Sequence, residues 1–304
     1  MPELNPPQDR SLPLFVYGSL KPGELAFGLI EPLVSRHVEA TVAGVIRLRD
    51  GLPLLGSSPA GRVHGNVLCF PADNLDEVWQ VVADFEPGSQ YRWDTTEAMT
   101  KDGQSVPVNV LSGKKPQSFS GDPVSEWSAR HDPVLNEGLT EVRRLALEAA
   151  PQGVPPQSDN PAFWHQFFRL QASYLLLWSV VERYTALRYG PALDPGNRVR
   201  RLGNDPAFQA ALKDLGAKPD RVVDSRNPAD SIALRPDGRG GARYYYLVRS
   251  NLSHRGKGAF RDARLVLKAL VELHDAMLDM LANHVSIPVD SDEDEVRLRH
   301  LLPY

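Results

Sequence analysis

Short apolar runs separated by turn residues fill the first part of the chain. The runs are residues 14–17, 43–46, 63–68 and 106–110. Turn signals such as Asp50-Gly51 and Lys101-Asp102-Gly103 lie between them, and strands bounded by such turns are typical of β-rich domains. Residues 73–84 combine a polar start with helical apolar spacing, which predicts one helix. We therefore expect residues 12–120 to form a domain of strands and turns with a helix among them.

A helical periodicity begins after the proline-rich segment 153–158. Apolar residues then recur in alternating steps of four and three: Phe163, Phe167, Leu170, Tyr174, Leu177, Val181 and Tyr184. A second stripe of this kind runs from Val266 to Met280. This spacing predicts long amphipathic helices, and such helices pack into bundles.

The predicted fold class is therefore α+β, with strands and helices in separate domains. We expect a β-rich domain over residues 12–120, a linker over 121–159, an all-α helical bundle over 160–285 and an acidic tail over 286–304. Five acids lie between Asp290 and Glu295, and a run of this kind is expected to be solvated.

The composition narrows the class of protein. The chain has 304 residues, of which 42% are hydrophobic and 24% charged, and its formal net charge is -4. A negative net charge argues against a protein that coats nucleic acid, so any RNA contact must come from a local basic patch. The single cysteine, Cys69, excludes an internal disulfide framework and a cysteine-rich metal site. Without a signal-peptide pattern or an apolar stretch of membrane-spanning length, we expect a cytoplasmic protein with no membrane partner.

One segment of the helical domain carries such a patch. Eight basic residues lie between Arg235 and Arg264, against two acidic ones, and Tyr244, Tyr245 and Tyr246 lie among them. Positive charge interleaved with aromatic rings is typical of a surface that holds a phosphate backbone and stacks bases. A solvated basic face without a ligand is the alternative.

Arg249 and His254 lie within this patch, five residues apart. On an ideal helix they diverge by about 140°. Either the helix ends before His254, or the two side chains meet only when another surface closes over them. A histidine can move a proton near neutral pH, and an arginine grips phosphate with a planar fork. The alternative is a helix C-terminus at which basic residues face the negative end of the dipole.

The arginine, the spacing and the histidine resemble the signature of HEPN domains, helical bundles found in bacterial toxin and defence ribonucleases. The resemblance covers roughly residues 160–285. It implies a metal-independent endoribonuclease that cuts RNA as a homodimer formed through the helical domain, with Arg249 and His254 as its catalytic residues. It also suggests supporting residues in the RNA site, which are Asn251, Glu182, Arg255 and Lys257. A surface acid paired locally with Arg183 or Arg188 is the alternative for Glu182.

Motifs of the first domain resemble the γ-glutamylcyclotransferase-like (AIG2-like) family. They are Val16-Tyr17-Gly18-Ser19-Leu20, Gly65-Asn66-Val67, and Asp84-Phe85-Glu86-Pro87-Gly88 with Tyr91-Arg92. The resemblance implies a small β-barrel with flanking helices that takes a γ-glutamyl or 5-oxoproline-like ligand. It assigns general acid/base catalysis to Glu86, and substrate binding to Tyr17, Gly18, Ser19, Leu20, Tyr91 and Arg92. One carboxylate with a pKa raised by burial could deprotonate an α-ammonium group and protonate a leaving amine.

Three functions remain open at this point. The preferred hypothesis is a ribonuclease whose barrel binds or senses a small ligand, because it explains an Arg/His pair in a basic, aromatic patch. The second is a γ-glutamylcyclotransferase whose helical domain serves oligomerisation. The third is a non-catalytic interaction partner, for example of a toxin. We expect no cofactor and no metal, since no cluster with metal-ligand spacing accompanies Arg249 and His254.

Overall fold

The protein divides into two compact units. The computed structural model describes residues 4–116, 122–150, 161–191, 193–218, 220–235, 238, 240–255, 263–285 and 297–302, with the backbone alone for residues 254 and 255. The first unit, here called the barrel unit, comprises residues 1–133 and 186–194. The second, here called the helical unit, comprises residues 134–185 and 195–304.

A closed barrel of five strands forms the centre of the barrel unit. The elements of this unit are β1 (Leu14–Val16), β2 (Arg36–Ala43), β3 (Val45–Arg49), β4 (Leu52–Gly56), β5 (Arg62–Cys69), α1 (Leu75–Phe85), β6 (Tyr91–Thr100) and β7 (Ser105–Gly113). The order around the barrel is β1-β5-β2-β6-β7, and β1 and β7 close it as a parallel pair. The other pairs are antiparallel. Short 3-10 turns lie at Phe27–Leu29, Glu31–Leu33, Ala72–Asn74 and Ala129–His131.

Strands β3 and β4 form a separate hairpin. Its turn, Asp50-Gly51, has φ values of 50° and 81°, which suits a two-residue turn that needs positive φ at both positions. Within the barrel, Gly65 lets β1 and β5 approach, since a Cβ atom there would lie 2.2 Å from the Val16 carbonyl oxygen. The Gly65 of the sequence motif therefore has a packing role.

Helix α1 packs its apolar face against the outside of the barrel. Its buried residues Val78, Trp79, Val82 and Phe85 join a core cluster with strand residues that include Leu14, Leu68, Tyr91 and Leu111. Burial of each large apolar side chain contributes about 1.5–3 kcal/mol. The predicted helix over 73–84 is thus confirmed, shifted by one or two residues, and its packing determines where the chain resumes after Phe85.

The helical unit holds most of the remaining secondary structure. Its elements are α2 (Pro133–Ala149), α3 (Pro161–Tyr189), α4 (Pro195–Asn204), α5 (Pro206–Asp214), β8 (Asp220–Val223), β9 (Ser231–Leu234), α6 (Gly241–Arg255), α7 (Ala263–Leu281) and a 3-10 turn at Arg299–Leu301. The long helix predicted from Phe163 to Tyr184 is confirmed as α3. Pro133 and residues 186–189 are grouped with the barrel unit.

A polar chain links three helices inside this unit. The Tyr174 hydroxyl donates to the Tyr245 carbonyl oxygen at 2.8 Å, and the Tyr245 hydroxyl donates to Glu272 Oε2 at 3.0 Å. Burial raises the pKa of Glu272, and the nearby Lys268 ammonium, 2.9 Å away, opposes that shift. Buried polar groups are tolerated because each has a partner. These hydrogen bonds fix α6 between α3 and α7.

Two predictions about this half of the chain were wrong. The expected linker over 121–159 contains α2, whose Leu135, Leu139, Val142 and Ala146 are buried at helical spacing. The expected all-α domain contains the antiparallel pair β8–β9. Each of those strands has only four residues, too few for an alternating pattern to be distinguished in the sequence. Residues 117–121 and 151–160 lie outside the described residues.

The end of the predicted acidic tail also departs from expectation. Leu298 and Leu301 are buried, the Leu298 N–H donates to Asp275 Oδ1 at 3.0 Å, and Arg297 pairs with Asp279. The two leucines explain the contact, since apolar burial outweighs the solvation of neighbouring charges. Acidic residues 290–295 lie outside the described residues.

The described residues contain neither a candidate membrane span nor a candidate metal site. None of the helices in the described ranges is both long and apolar enough to cross a membrane. No group of three or more His, Cys, Asp or Glu side chains there could hold a metal ion.

Candidate active site

Glu86 stands at the point where α1 ends. Its N–H still donates to the Val82 carbonyl oxygen, but its own φ and ψ of -97° and 124° are extended. A residue before proline avoids the helical region, so Pro87 ends the helix here. The core contacts of Val82 and Phe85 hold the last turn of α1. Glu86 is therefore directed by a rigid helix end and not by a flexible loop.

The surroundings of Glu86 favour its neutral form. Burial alone raises the pKa of Glu86 from 4.5 to about 7. No described side chain donates a hydrogen bond to this carboxyl group or forms an ion pair with it. Glu86 is half-buried, and a carboxyl group that is shielded from water without compensating partners is costly to ionise. Such a group can take up and release a proton near neutral pH.

Tyr17 lies within electrostatic reach of Glu86. Burial raises the pKa of Tyr17 above its ordinary value, the hydrogen bond from the Leu55 N–H opposes this shift, and the charge of Glu86 adds to it. The Tyr17 hydroxyl donates to the Leu111 carbonyl oxygen at 2.6 Å and accepts from the Leu55 N–H at 3.2 Å. Both its donor and its acceptor functions are thus used within the protein, so its side chain connects β4 with β7.

The loop after Tyr17 presents unused backbone donors. Ser19 and Leu20 are buried and Gly18 is half-buried. Gly18 and Ser19 use their carbonyl oxygens, which accept from Lys21 and Ala26. No described residue accepts from the N–H groups of Gly18, Ser19 or Leu20. Buried N–H groups without an acceptor are rare in folded proteins, and successive ones form a site for an anion or a carbonyl oxygen.

Tyr91 and Arg92, predicted as a pair, lie on opposite faces of β6. Tyr91 is buried and its hydroxyl donates to the Pro53 carbonyl oxygen at 3.0 Å. Arg92 is exposed and its Nε lies 3.3 Å from Asp94 Oδ2. Successive residues of a strand face opposite ways, so the two side chains do not converge on one ligand. Tyr91 belongs to the side of Tyr17, since both hydroxyls bond to the backbone of β4.

The comparison with known proteins bears on this unit. Residues 14–128 match the family model described as gamma-glutamyl cyclotransferase, AIG2-like. Residues 14–128 form an AIG2-like domain. This domain contains every residue of the site described so far.

Solved structures similar to the chain cover the same share of it. One is a solution structure of a protein from Arabidopsis thaliana, with 22% identity over 38% of this chain and 78% of that one, and a TM-score of 0.30. Another is an uncharacterized protein from Pyrococcus horikoshii, with 19% identity over 38% of this chain and 86% of that one, and a TM-score of 0.28. A search of curated proteins found no match.

Two lysines that the sequence did not single out hold the site of the AIG2-like domain. Lys21 is buried, and its ammonium donates to the Trp127 carbonyl oxygen at 2.8 Å and pairs with Glu126 at 3.1 Å. Lys114 donates to the Gly88 carbonyl oxygen, just after Glu86. The first fixes the donor loop and the second fixes the turn beyond the carboxyl group. Lys21 directly follows the Tyr-Gly-Ser-Leu motif, but no pattern marks a lysine as buried.

The Arg249–His254 segment of the helical unit has a different setting. Helix α6 continues to Arg255, so both residues lie on one helix and the divergence of about 140° applies to their backbone positions. Arg249 is partly exposed, and no described group pairs with its guanidinium. The side chains of His254 and Arg255, and all of Lys257, lie outside the described residues.

The predicted supporting residues make structural contacts. Asn251 accepts from the Ser225 N–H at 3.0 Å and donates to the Val223 carbonyl oxygen at 2.9 Å, so its amide holds the end of β8. Glu182 Oε1 accepts from Trp178 Nε1 at 2.8 Å. The Trp178 ring packs on Tyr246, with centroids 5.6 Å apart. Glu182 is therefore linked to α6 through Trp178.

Proposed function

We propose that the AIG2-like domain is a γ-glutamylcyclotransferase-type enzyme. It converts a γ-glutamyl compound into 5-oxoproline and a free amine. The observation that carries the proposal is the carboxyl group of Glu86, which has no bonding partner among the described residues and a pKa of about 7. An acid that changes its protonation state near pH 7 suits a reaction that both removes and delivers a proton.

The reaction needs one proton relay. The α-ammonium group of the substrate gives a proton to the Glu86 carboxylate, and the resulting amine attacks the γ-carbonyl carbon. A C–N bond of the lactam forms, the original amide C–N bond breaks, and Glu86 returns its proton to the leaving nitrogen. The lactam nitrogen also gives up its second proton to that nitrogen, so the amine leaves as an ammonium ion and Glu86 is ionised again. Because the carboxylate must be ionised to begin, activity should rise with pH through about 7.

The N–H groups of Gly18, Ser19 and Leu20 supply the binding half of the proposal. They lie in the loop after Tyr17, a residue close enough to Glu86 for its charge to act on the phenol. Donors of this kind hold a substrate oxygen and stabilise the charge that grows on it during attack. The anchors Lys21 and Lys114 keep loop and carboxyl group in fixed positions, so little reorganisation accompanies reaction.

The test is product formation from γ-glutamyl dipeptides, γ-glutamylamines and glutathione. Mass spectrometry should detect 5-oxoproline with the wild type and with Glu77→Gln, which changes an exposed glutamate of the same helix. Glu86→Gln should bind these compounds, seen as a thermal shift, without turning them over. Equal turnover by Glu86→Gln, or no binding and no turnover by the wild type with any compound, would contradict the proposal.

We propose as a second activity that the helical unit cuts RNA without a metal ion. The specific support is the Arg249 guanidinium, which is partly exposed and without a partner among the described groups, five residues before His254 on the same helix. The 2′-hydroxyl of the RNA would be the nucleophile, with His254 moving the proton and Arg249 stabilising phosphoryl charge. Products would carry a 2′,3′-cyclic phosphate and a 5′-hydroxyl.

A homodimer belongs to this second proposal. Because the two residues diverge by about 140° along α6, a cleft shared by two copies around a two-fold axis would let them converge. Cleavage and dimer mass should then fall together on dilution. A monomer with full cleavage activity would contradict the shared cleft.

RNA integrity is the readout of the second proposal. Cleavage should persist in EDTA and be lost in Arg249→Ala and His254→Ala, while Arg243→Ala, an exposed arginine of the same helix, keeps it. Cleavage that disappears with EDTA, or that Arg249→Ala retains, would refute it.

A further inference from the structure

A cavity opens within the AIG2-like domain, apart from the Glu86 site. Its volume is about 460 Å³, and its lining contains neither Glu86 nor any residue of the Tyr17–Leu20 loop. The polar lining comes from β6, from the end of β7 and from the chain beyond β4. The polar and charged lining residues that could bind a ligand include Ser57, Arg92, Asp94, Thr96, Ser112 and Lys115.

Strand geometry brings the charged groups together. Arg92, Asp94 and Thr96 alternate along β6 and so share one face of it, and Ser112 is the β7 partner of Arg92. Arg92 Nε and Asp94 Oδ2 lie 3.3 Å apart. The cavity therefore offers a cation and an anion side by side at its wall.

The other polar groups have no partners within the described protein. The hydroxyls of Ser57, Thr96 and Ser112 and the ammonium of Lys115 make no hydrogen bond or ion pair with any described residue. Lys115 has a φ of 55°, a left-handed conformation that side-chain-bearing residues rarely adopt. Backbone strain of this kind concentrates at binding sites.

We propose that this cavity binds a free α-amino acid in its zwitterionic form, at a site separate from Glu86. The α-carboxylate bonds to Arg92 and the α-ammonium to Asp94, because both ligand charges sit on one carbon and both protein charges sit in contact. A polar side chain extends toward the hydroxyls and Lys115. The volume leaves room for extended side chains of this type.

Ligands with a single charge fit less well. An inorganic anion would meet the Asp94 carboxylate beside Arg92, and a simple amine would meet the two cations. Charge-assisted bonds to both ends of a zwitterion satisfy Arg92 and Asp94 at once. The site does not depend on turnover at Glu86.

Calorimetric titration with three matched probes tests the inference. L-Serine carries both charges, ethanolamine lacks the carboxylate, and 3-hydroxypropionate lacks the amine. Serine should bind the full-length protein, also in saturating 5-oxoproline, and the other two probes should bind about tenfold more weakly or worse. Inorganic phosphate serves as the fourth probe and should bind more weakly than serine.

Variants separate this site from the Glu86 site. Asp94→Asn and, independently, Arg92→Gln should weaken serine binding about tenfold or more. Glu97→Gln, an exposed carboxylate of the same strand outside the lining, and Glu86→Gln should leave it unchanged. Absence of serine binding, equal binding of all probes, tighter phosphate binding, competition by 5-oxoproline, or loss in Glu86→Gln would each overturn the proposal.

Discussion

Glu86 and Arg249 are both half-buried charged residues of short motifs, but the fold affects them differently. Glu86 is held at the end of a packed helix, and burial raises its pKa to about 7. Arg249 projects, partly exposed, from α6, and no described group pairs with it. The protein around Glu86 changes the pKa of its carboxyl group. The Arg249 guanidinium has no described partner and could pair with a ligand.

The two residues differ in what their motifs imply. A half-buried carboxyl group without a partner and with a raised pKa costs stability when it ionises, and proton transfer is one reason for such a group. A partly exposed arginine can keep its charge in contact with water, so it fits both an RNA site and a surface without a ligand. The family match, over residues 14–128, also stops before the helical unit.

Shortening the Glu86 side chain should greatly slow the formation of 5-oxoproline. Glu86→Asp keeps a carboxyl group but withdraws it by one methylene, and a displacement of about 1 Å can cost about 100-fold in rate. We expect kcat for 5-oxoproline formation to fall by about that factor while KM changes little. An Asp variant as fast as the wild type would mean that the position of the carboxyl group is not critical.

The free energy of unfolding should depend on pH through the titration of Glu86. Its folded pKa of about 7 lies above the ordinary 4.5, so between these values the folded state binds more protons. Stability must then fall as pH rises from 4.5 through 7, by up to about 3 kcal/mol. Glutamine does not titrate, so Glu86→Gln lacks this loss. The free energy of unfolding of the variant, measured in urea relative to the wild type, should therefore rise by about that amount between pH 4 and pH 8. A constant difference would place the carboxyl group in water.

Removing the Asn251 amide should destabilise the helical unit. Asn251→Ala breaks the bonds to Ser225 and Val223, and the loss should be about 1–2 kcal/mol. Asn227→Ala, whose bond to Asp230 is exposed, is the control with an expected change of less than about 0.5 kcal/mol. If Asn251→Ala left stability unchanged but reduced RNA cleavage, the asparagine would belong to the RNA site instead.

Arg249→Ala should change stability least. Its guanidinium has no described partner, and such substitutions usually stay within about 0.5 kcal/mol. Lost RNA cleavage in a variant of unchanged melting temperature would show a functional arginine. A decrease in the free energy of unfolding of more than about 1 kcal/mol would instead indicate a structural role for Arg249.

Local patterns predicted α1, α3 and α7 because each repeats apolar residues over several turns, which outweighs local propensity. Motifs also predicted Glu86 and the loop from Tyr17 to Leu20. The strands β8 and β9 were missed because four residues each are too few for an alternating pattern to be recognised. Helix α2 was taken for a linker although its 17 residues bury Leu135, Leu139, Val142 and Ala146 at helical spacing. Part of its buried side contacts α3, where Ser173 donates to the Val142 carbonyl oxygen, and this contact between separate helices is decided by the fold.

From the sequence alone we could predict a β-rich region followed by a helical one, the long helices and the residue types at both candidate sites. Only the tertiary structure decided what those residues do, because burial and partnership depend on the whole fold. Burial in the fold raises the pKa of Glu86 to about 7. The Tyr17 hydroxyl and the Asn251 amide bond to the backbone, and three N–H groups of the loop after Tyr17 have no described acceptor. Because neighbouring residues of a strand face opposite sides, Arg92 points away from Tyr91 and lines the cavity that lies apart from the Glu86 site.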